Sequence, residues 1–397
     1  EPDKKKILDG LTIDDLEKLY IDFHEDAVKN PALEEEGRRS FKLLEEGDKE
    51  ARLVWEYAKK TSLKEFNRIY ELLGIKIDNV IGESFYQPMM DAVLREVKDK
   101  EIAVKSEGAF VIKYPGDKLP PAIVQKTDGT TNYFTRDLAA VKYRTKKWNP
   151  DLFIYETGTE QNLNFRQLFE AIEMLGWGKQ DKFVHVSHGL YRSEKGKFST
   201  RRGRIIHLED VLLEAVSRAR KIIEESETGR GLSEEEKYEV SRAVGIGGVK
   251  YNDLSHNPSS DIVFDWDSIL NLKGNSAPYI QYTYARCESI LQNPKSQAPN
   301  PKAEGELTLN NEELNILRHI YRFPEVVREA GEKFSPNLIC NFAFDLSQKY
   351  NLFYAKHSVL EAEDEDVGNF RILLTQSTAQ VIKNSLGLLG IEAPDKM

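Results

Sequence analysis

The chain has 397 residues, 40% hydrophobic and 31% charged, and carries a formal net charge of −10. That length exceeds what a single core ordinarily serves, so two or three domains are expected, and the composition excludes a disordered chain. No apolar run approaches the roughly 20 residues that span a bilayer, and the acidic balance argues against nucleic-acid binding by the surface as a whole, though a local basic stripe can still bind.

The first stretch predicts helices. Thr12 is a candidate N-cap with Asp15 three residues on, a looser form of the capping box. Leu16, Leu19, Tyr20, Phe23 and Ala27 follow at helical spacing, and residues 31–46 and 48–73 continue in a style dense in Glu, Lys and Arg. These charges read as an exposed helical layer.

Near Ile75 the pattern changes. Residues 75–78, 109–112 and 122–124 are short β-rich runs bounded by Gly, Pro and Asp. Strands and helices then alternate: a strand at 132–134, a helix at 135–146, a strand at 152–155, a helix at 161–175 and a strand at 183–186. Such alternation predicts a parallel α/β sheet, with ligands beyond the carboxyl ends of its strands. Residues 207–271 read as helical with a glycine-rich break at 245–248. Beyond Ser276 no convincing strand remains, and residues 292–306 read as a solvated loop. Leu338, Ile339, Phe342, Leu346, Tyr350 and Phe353 share one apolar helical face, residues 373–389 carry another, and the end of the chain reads as an antiparallel bundle.

Two segments carry chemistry. In the first, 128–139, an Asp-Gly turn leads to a short strand and Thr135 caps the next helix, which puts Asp137 in its first turn, where the helix dipole favours a carboxylate. Alone, Asp137 reads first as an ordinary helix-start acid; the functional reading makes it the anionic partner of a cationic ligand, with Tyr133 and a distant amide completing the pocket. A guanidinium, with five donors in a fixed fork, suits a carboxylate flanked by neutral acceptors. The second segment, 192–204, holds six Lys/Arg against one Glu. Alone it is a basic loop, or a flexible clamp on a polyphosphate in which Lys197 meets developing charge.

Cys287 and Cys340, the two cysteines, lie far apart in apolar helical surroundings and read as core residues. This fits a reducing compartment and argues against both a disulfide framework and a structural zinc.

Taken together, the two segments resemble the second half of a class I aminoacyl-tRNA synthetase of the arginyl family. Lys197-Phe-Ser-Thr-Arg201 resembles the class's KMSKS loop, with Phe198 in place of Met. Asp128-Gly-Thr, Tyr133 and Thr135-Arg-Asp-Leu-Ala139 resemble the arginyl signature, and Gly158-Thr-Glu-Gln161 with Phe165 and Gln167 resembles its next βα junction. Gly189 matches the glycine near the adenine site. Asn275 to Arg286 and Arg371 to Met397 are similar to the start and end of the family's helical anticodon-binding domain, and Gly82 to Tyr86 also has a counterpart.

The fold this implies is α/β plus all-α: a partial Rossmann-like class I catalytic domain with a helical insertion, followed by an α-helical anticodon-binding bundle. Its expected boundaries are 1–196 for the catalytic remainder (insertion about 1–100, second half of the nucleotide fold about 101–196), 197–271 for the KMSKS-like loop and a helical connection, and 272–397 for the bundle. The implied activity is ATP-dependent formation of arginyl-adenylate and transfer of arginine to tRNA, with Mg2+ accompanying ATP, no tightly bound cofactor and no membrane partner. Tyr133, Asp137 and Gln161 would read arginine, while Gly189, Lys197, Phe198 and Ser199 would bind ATP. Lys197 and Ser199 would act in the chemistry, and Tyr354 and Met397 would meet the anticodon loop. The related cysteinyl enzymes, whose metal site needs cysteine ligands, are disfavoured.

One departure stands out. The class's His-x-Gly-His element is absent from the seven histidines, and His185 and His188 read as packing residues. A preceding segment or partner chain is therefore expected to supply that element. The alternative is a catalytically incomplete fragment that binds tRNA. A cytoplasmic location is expected, with an organellar one left open.

Overall fold

The computed structural model describes residues 2–193, 196–197, 207–226, 228–296, 307–362 and 364–397. The chain divides into two compact units: residues 77–191 with 256–262, and residues 1–76, 192–255 and 263–397. These units cut the chain at places other than the boundaries expected from sequence.

In the second of these, four helices come first: α1 (Pro2–Asp9), α2 (Ile13–Lys29), α3 (Ala32–Glu46) and α4 (Lys49–Leu73). The capping box on α2 is complete, since Thr12 Oγ1 accepts from Asp15 N at 3.2 Å and Asp15 Oδ2 accepts from Thr12 N at 2.9 Å. Of the apolar positions on α2 only Ala27 is buried, and α3 and α4 bury no residue, so this layer is exposed as its charges predicted. The expected strand at 75–78 does not form. Gly74 ends α4 in the left-handed region, and the exposed residues that follow have no pairing strand.

The same unit continues with α8 (Leu208–Glu225), α9 (Glu234–Leu254), α10 (Trp266–Ile269), α11 (Ala277–Leu291), α12 (Asn311–Tyr321), α13 (Phe323–Lys333), α14 (Asn337–Lys356) and α15 (Glu365–Leu388). Its main core joins Tyr284 and Cys287 of α11, Cys340, Leu346, Tyr350 and Phe353 of α14, and Ile382 and Leu386 of α15. The predicted apolar faces at 338–353 and 373–389 and the buried cysteines are all found there. Buried hydroxyls of Ser347, Thr375, Thr378 and Ser385 donate to carbonyls four residues back, at 2.7 to 2.8 Å, which leaves none of them orphaned in the core.

The glycine-rich break at 245–248 is not a break, because α9 runs straight through it. A Cβ on Gly245 would stand 2.6 Å from Val216 N, so the glycine serves the close approach of α8 and α9. Most of the predicted loop at 292–306 lies outside the described residues.

The unit of 77–191 and 256–262 has its own core, built from α5 (Gln87–Asp99), α6 (Tyr133–Trp148) and α7 (Asn162–Met174) with the strands beside them. The first three strands, β1 (Ala103–Ser106), β2 (Ala109–Ile112) and β3 (Ala122–Gln125), form an antiparallel sheet. β4 (Phe153–Gly158) and β5 (Phe183–His188) form a separate parallel pair, in register from Phe153 opposite Phe183 to Gly158 opposite His188. The expected run of parallel strands is thus confined to β4 and β5. A third small sheet takes the order β7 (Gly196–Lys197), β6 (Tyr191–Ser193), β8 (Ile262–Val263).

Residues 132–134, expected as a strand, instead open α6. Asn132 caps it, with Oδ1 accepting from Thr135 N at 3.3 Å, and Thr135 turns its hydroxyl to the Val124 carbonyl at 2.6 Å. The helix starts earlier than expected, so Asp137 lies beyond its first turn rather than within it.

Candidate functional site

Of the three predicted arginine-site residues, Tyr133 and Asp137 lie on α6 and Gln161 immediately precedes α7. Tyr133 and Asp137 are four residues apart on α6 and so share a face. Gln161 ends the short turn between β4 and α7, and Asn164 in the first turn of α7 donates from Nδ2 to Asp137 Oδ2 at 3.1 Å. That bond ties Asp137 to the helix that Gln161 precedes. Tyr133 is 63% exposed and Gln161 is exposed, whereas Asp137 is half-buried.

Burial pushes the Asp137 carboxyl pKa up. The Asn164 hydrogen bond opposes the rise, Glu83 adds to it, and the charges of Arg136 and Arg144 lower it. Arg136 is committed elsewhere, to Glu83 at 2.6 Å, and Arg144 donates from Nε to the Tyr86 hydroxyl at 3.3 Å. Tyr155, whose phenol burial pushes up to about 12, borders the same cluster. Chemically this is a recessed carboxylate beside amide and phenol groups, with the two nearby guanidiniums engaged by Glu83 and Tyr86, and a carboxylate of this kind is a natural partner for a planar cation. Asn164, Tyr155, Arg144 and Tyr86 were not singled out from sequence. Two of them left a trace there: Asn164 lies one residue before Phe165 of the βα junction, and Tyr86 ends the segment from Gly82 that has a family counterpart.

Within the parallel pair, His185 of β5 stacks on Phe165 with ring centroids 4.4 Å apart, and its Nε2 lies 2.8 Å from the Thr157 hydroxyl. Burial pushes its pKa down. His185 is thus a packing residue as expected, whereas His188 is exposed and paired with Glu156. Gly189 follows, and its N–H donates to the Pro258 carbonyl at 2.9 Å. A Cβ there would fall 2.1 Å from Ser260 O, so only glycine lets these two backbones pass.

Of the predicted phosphate-binding loop, the backbone of Lys197 is described, paired with Arg192 across β6 and β7. Phe198 and Ser199 lie outside the described residues. Among the described residues no group of His, Cys, Asp and Glu is arranged to hold a metal ion, and no helix is long and apolar enough to cross a membrane.

In the helical unit, Tyr354 and Met397 line one open cleft of about 450 Å³ together with Tyr282, Arg286 and Asn293. The Arg286 guanidinium lies 4.9 Å from the Tyr282 ring centroid and 4.8 Å from that of Tyr354, a cation held between two half-exposed rings. Met397 is buried against Ile223, Val244 and Ala285. Aromatic faces beside a cation offer stacking to an unpaired base. Tyr282 and Arg286 lie in the segment read as the start of the helical domain but were given no role there, although their spacing of four in a helix places them side by side.

Comparison with known proteins gives concordant results. A family model described as tRNA synthetases class I (R), catalytic domain, matches residues 2–266, and one described as DALR anticodon binding domain matches residues 280–397. The arginine–tRNA ligase of Clostridium botulinum (strain Alaska E43 / Type E3) is 39% identical over 395 residues, covering 99% of this chain and 69% of the relative. That of Clostridium perfringens (strain 13 / Type A) is 40% identical, with the same coverage. Among solved structures, arginyl-tRNA synthetase from Plasmodium falciparum superposes with a TM-score of 0.79 at 26% identity, covering 92% of this chain and 62% of that one. The Thermus thermophilus arginyl-tRNA synthetase shares the fold, with a TM-score of 0.77 at 22% identity.

Proposed function

The chain belongs to the class I arginyl-tRNA synthetase family, and on that premise we propose that it carries the arginine-reading half and the tRNA-binding helical domain of an arginine–tRNA ligase. In the first step the carboxylate of arginine attacks the α-phosphorus of ATP, forming arginyl-adenylate as pyrophosphate leaves. In the second, a ribose hydroxyl of the terminal adenosine of tRNA attacks the activated carbonyl and AMP leaves. Magnesium enters with ATP as part of that substrate.

Asp137 would hold the guanidinium, with Tyr133 and Gln161 closing the site. Lysine, a compact point charge without a planar fork, would fit poorly. Lys197 and Ser199 would stabilise the phosphates as negative charge moves onto pyrophosphate, with Phe198 alongside. Gly189 would border the adenine, and Tyr354 and Met397, with Tyr282 and Arg286, would receive an anticodon-loop nucleotide. The observation that carries the reading is the half-buried Asp137 carboxylate, aligned by Asn164 and in no salt bridge among the described residues.

The chain spans 69% of the clostridial relatives and 62% of the plasmodial one, and the His-x-Gly-His element expected of the class is not among its residues. We assign that element to a further segment. Among the described residues β4 is paired only with β5, which leaves one edge available to another parallel strand.

The test is arginylation of tRNA by this chain, alone and with a separately made N-terminal segment of a clostridial relative. Activity that depends on the added segment supports the assignment. Activity from the chain alone sinks the assignment of the phosphate-binding histidines to another segment. Inactivity in both, with tRNA still bound, favours a tRNA-binding module.

A further inference from the structure

Asn164 sits between the arginine-reading residues without having been assigned a role among them. Its Nδ2 donates to Asp137 Oδ2 at 3.1 Å, and because a carboxylate can only accept, that bond fixes which end of the amide is oxygen. The other end, Oδ1, is buried and has no hydrogen-bond partner. An orphaned buried acceptor costs stability, and in a folded protein it calls for a reason. Nearby, Thr135 is satisfied by the Val124 carbonyl, Gln167 by the Pro120 carbonyl and Tyr114 by the Gln167 carbonyl, whereas the Tyr155 hydroxyl and Arg136 Nε are buried without a partner, as Asn164 Oδ1 is. Of these three only Asn164 Oδ1 belongs to a group hydrogen-bonded to Asp137 and is an acceptor without a donor of its own.

We propose that Asn164 is a further arginine-reading residue, which aligns Asp137 through its amide nitrogen and accepts a guanidinium N–H on its amide oxygen. The inference rests on the reading of Asp137 as the substrate's carboxylate partner. It supplies what that carboxylate lacks. Asn164 already takes up part of the accepting capacity of Asp137 Oδ2, so the carboxylate meets a cation with five donors in a plane with fewer free lone pairs. A second acceptor on an adjacent planar group turns a point attraction into a two-point one, which a guanidinium can use and an ammonium cannot match in geometry. Gln161, Asn162 and Leu163 on the same turn are exposed and Asn164 itself is half-buried, so this turn borders solvent.

The orphaned oxygen also makes the inference separable from a packing role. A residue kept for packing loses stability when replaced, whereas one kept for a ligand loses binding and leaves stability unchanged or improved. Asn164→Leu keeps the branching and removes both polar atoms at the cost of added bulk, and Asn164→Ala provides a second variant should the first perturb folding. Each is titrated calorimetrically with L-arginine, with the complementing N-terminal segment present, and melted without ligand.

The expected result is an arginine Kd raised about tenfold or more, as the loss of a charge-assisted hydrogen bond implies, with the ligand-free melting temperature unchanged or higher. A lowered melting temperature with a proportionate loss of binding would overturn the inference in favour of packing. Arginine affinity unchanged in both variants, while Asp137→Asn weakens it, would overturn the role of Asn164 and leave that of Asp137 standing. Affinity unchanged in Asp137→Asn as well would overturn the reading beneath it.

Discussion

At the scale of single residues, Asp137 shows how a site and its stability pull apart. Burial raises its carboxyl pKa, so between the ordinary value and the raised one the folded chain holds a proton that the unfolded chain has released. Stability therefore falls as pH rises through that window, and the penalty is fully present above the folded pKa. Asp137→Asn should leave the ligand-free protein as stable as before, or more so, at pH 7, with the difference vanishing below both pKa values; melting curves against pH check this. The same substitution should weaken arginine binding roughly 10- to 100-fold, since hydrogen bonds to charged groups contribute about 1.5–3 kcal/mol, and should affect ATP binding far less. Equal losses for both ligands would count against its role. In the helical unit, Tyr354→Ala should weaken tRNA binding by about 1–3 kcal/mol if its ring stacks on a base, while arginine affinity stays unchanged. Filter binding and calorimetry measure the two separately.

Whole elements are decided by neighbours that local sequence does not show. Gly245 lies mid-helix in α9, where propensity alone favours alanine by about 1 kcal/mol. A Cβ there would press on the backbone of α8, 2.6 Å from Val216 N. Gly245→Ala should therefore destabilise the protein, by about 1–3 kcal/mol for an overpacked contact. Gly331 in α13, where a Cβ meets nothing within 4 Å, should gain stability on the same substitution, by about 0.5–1 kcal/mol. Urea denaturation of the two variants tests both signs, and two changes of the same sign would refute the close-approach account. Gly189 falls in the first class, because Ser260 O occupies the place of its Cβ.

For the molecule as a whole, two compact units with separate cores predict unfolding that is not two-state. A ligand stabilises only what binds it, by about 2.7 kcal/mol at a hundredfold excess over Kd. Saturating L-arginine, with the complementing segment present, should therefore slow hydrogen exchange in peptides from residues 77–191 and leave those from 310–390 unchanged. Protection spread evenly over both would count against an arginine site confined to α6 and α7.

What the sequence determined by itself was largely local. The capping box at Thr12, the helical faces of α14 and α15 and the strands flanking α7 all follow from spacing over a few residues, where period and turn chemistry act. Tyr133, Asp137 and Gln161 are proposed because ordered motifs resemble a known family, not because any of the three announces a guanidinium. The rest was decided in three dimensions. Asn132 rather than Thr135 caps α6, because Thr135 finds a carbonyl on β3 to bond. Gly245 continues a helix instead of ending it, because α8 lies against it. Asn164 joins Asp137, and Arg286 lies between Tyr282 and Tyr354, because helices distant or separate in sequence pack together. Sequence spacing specifies which face a residue takes, and only packing specifies what that face meets.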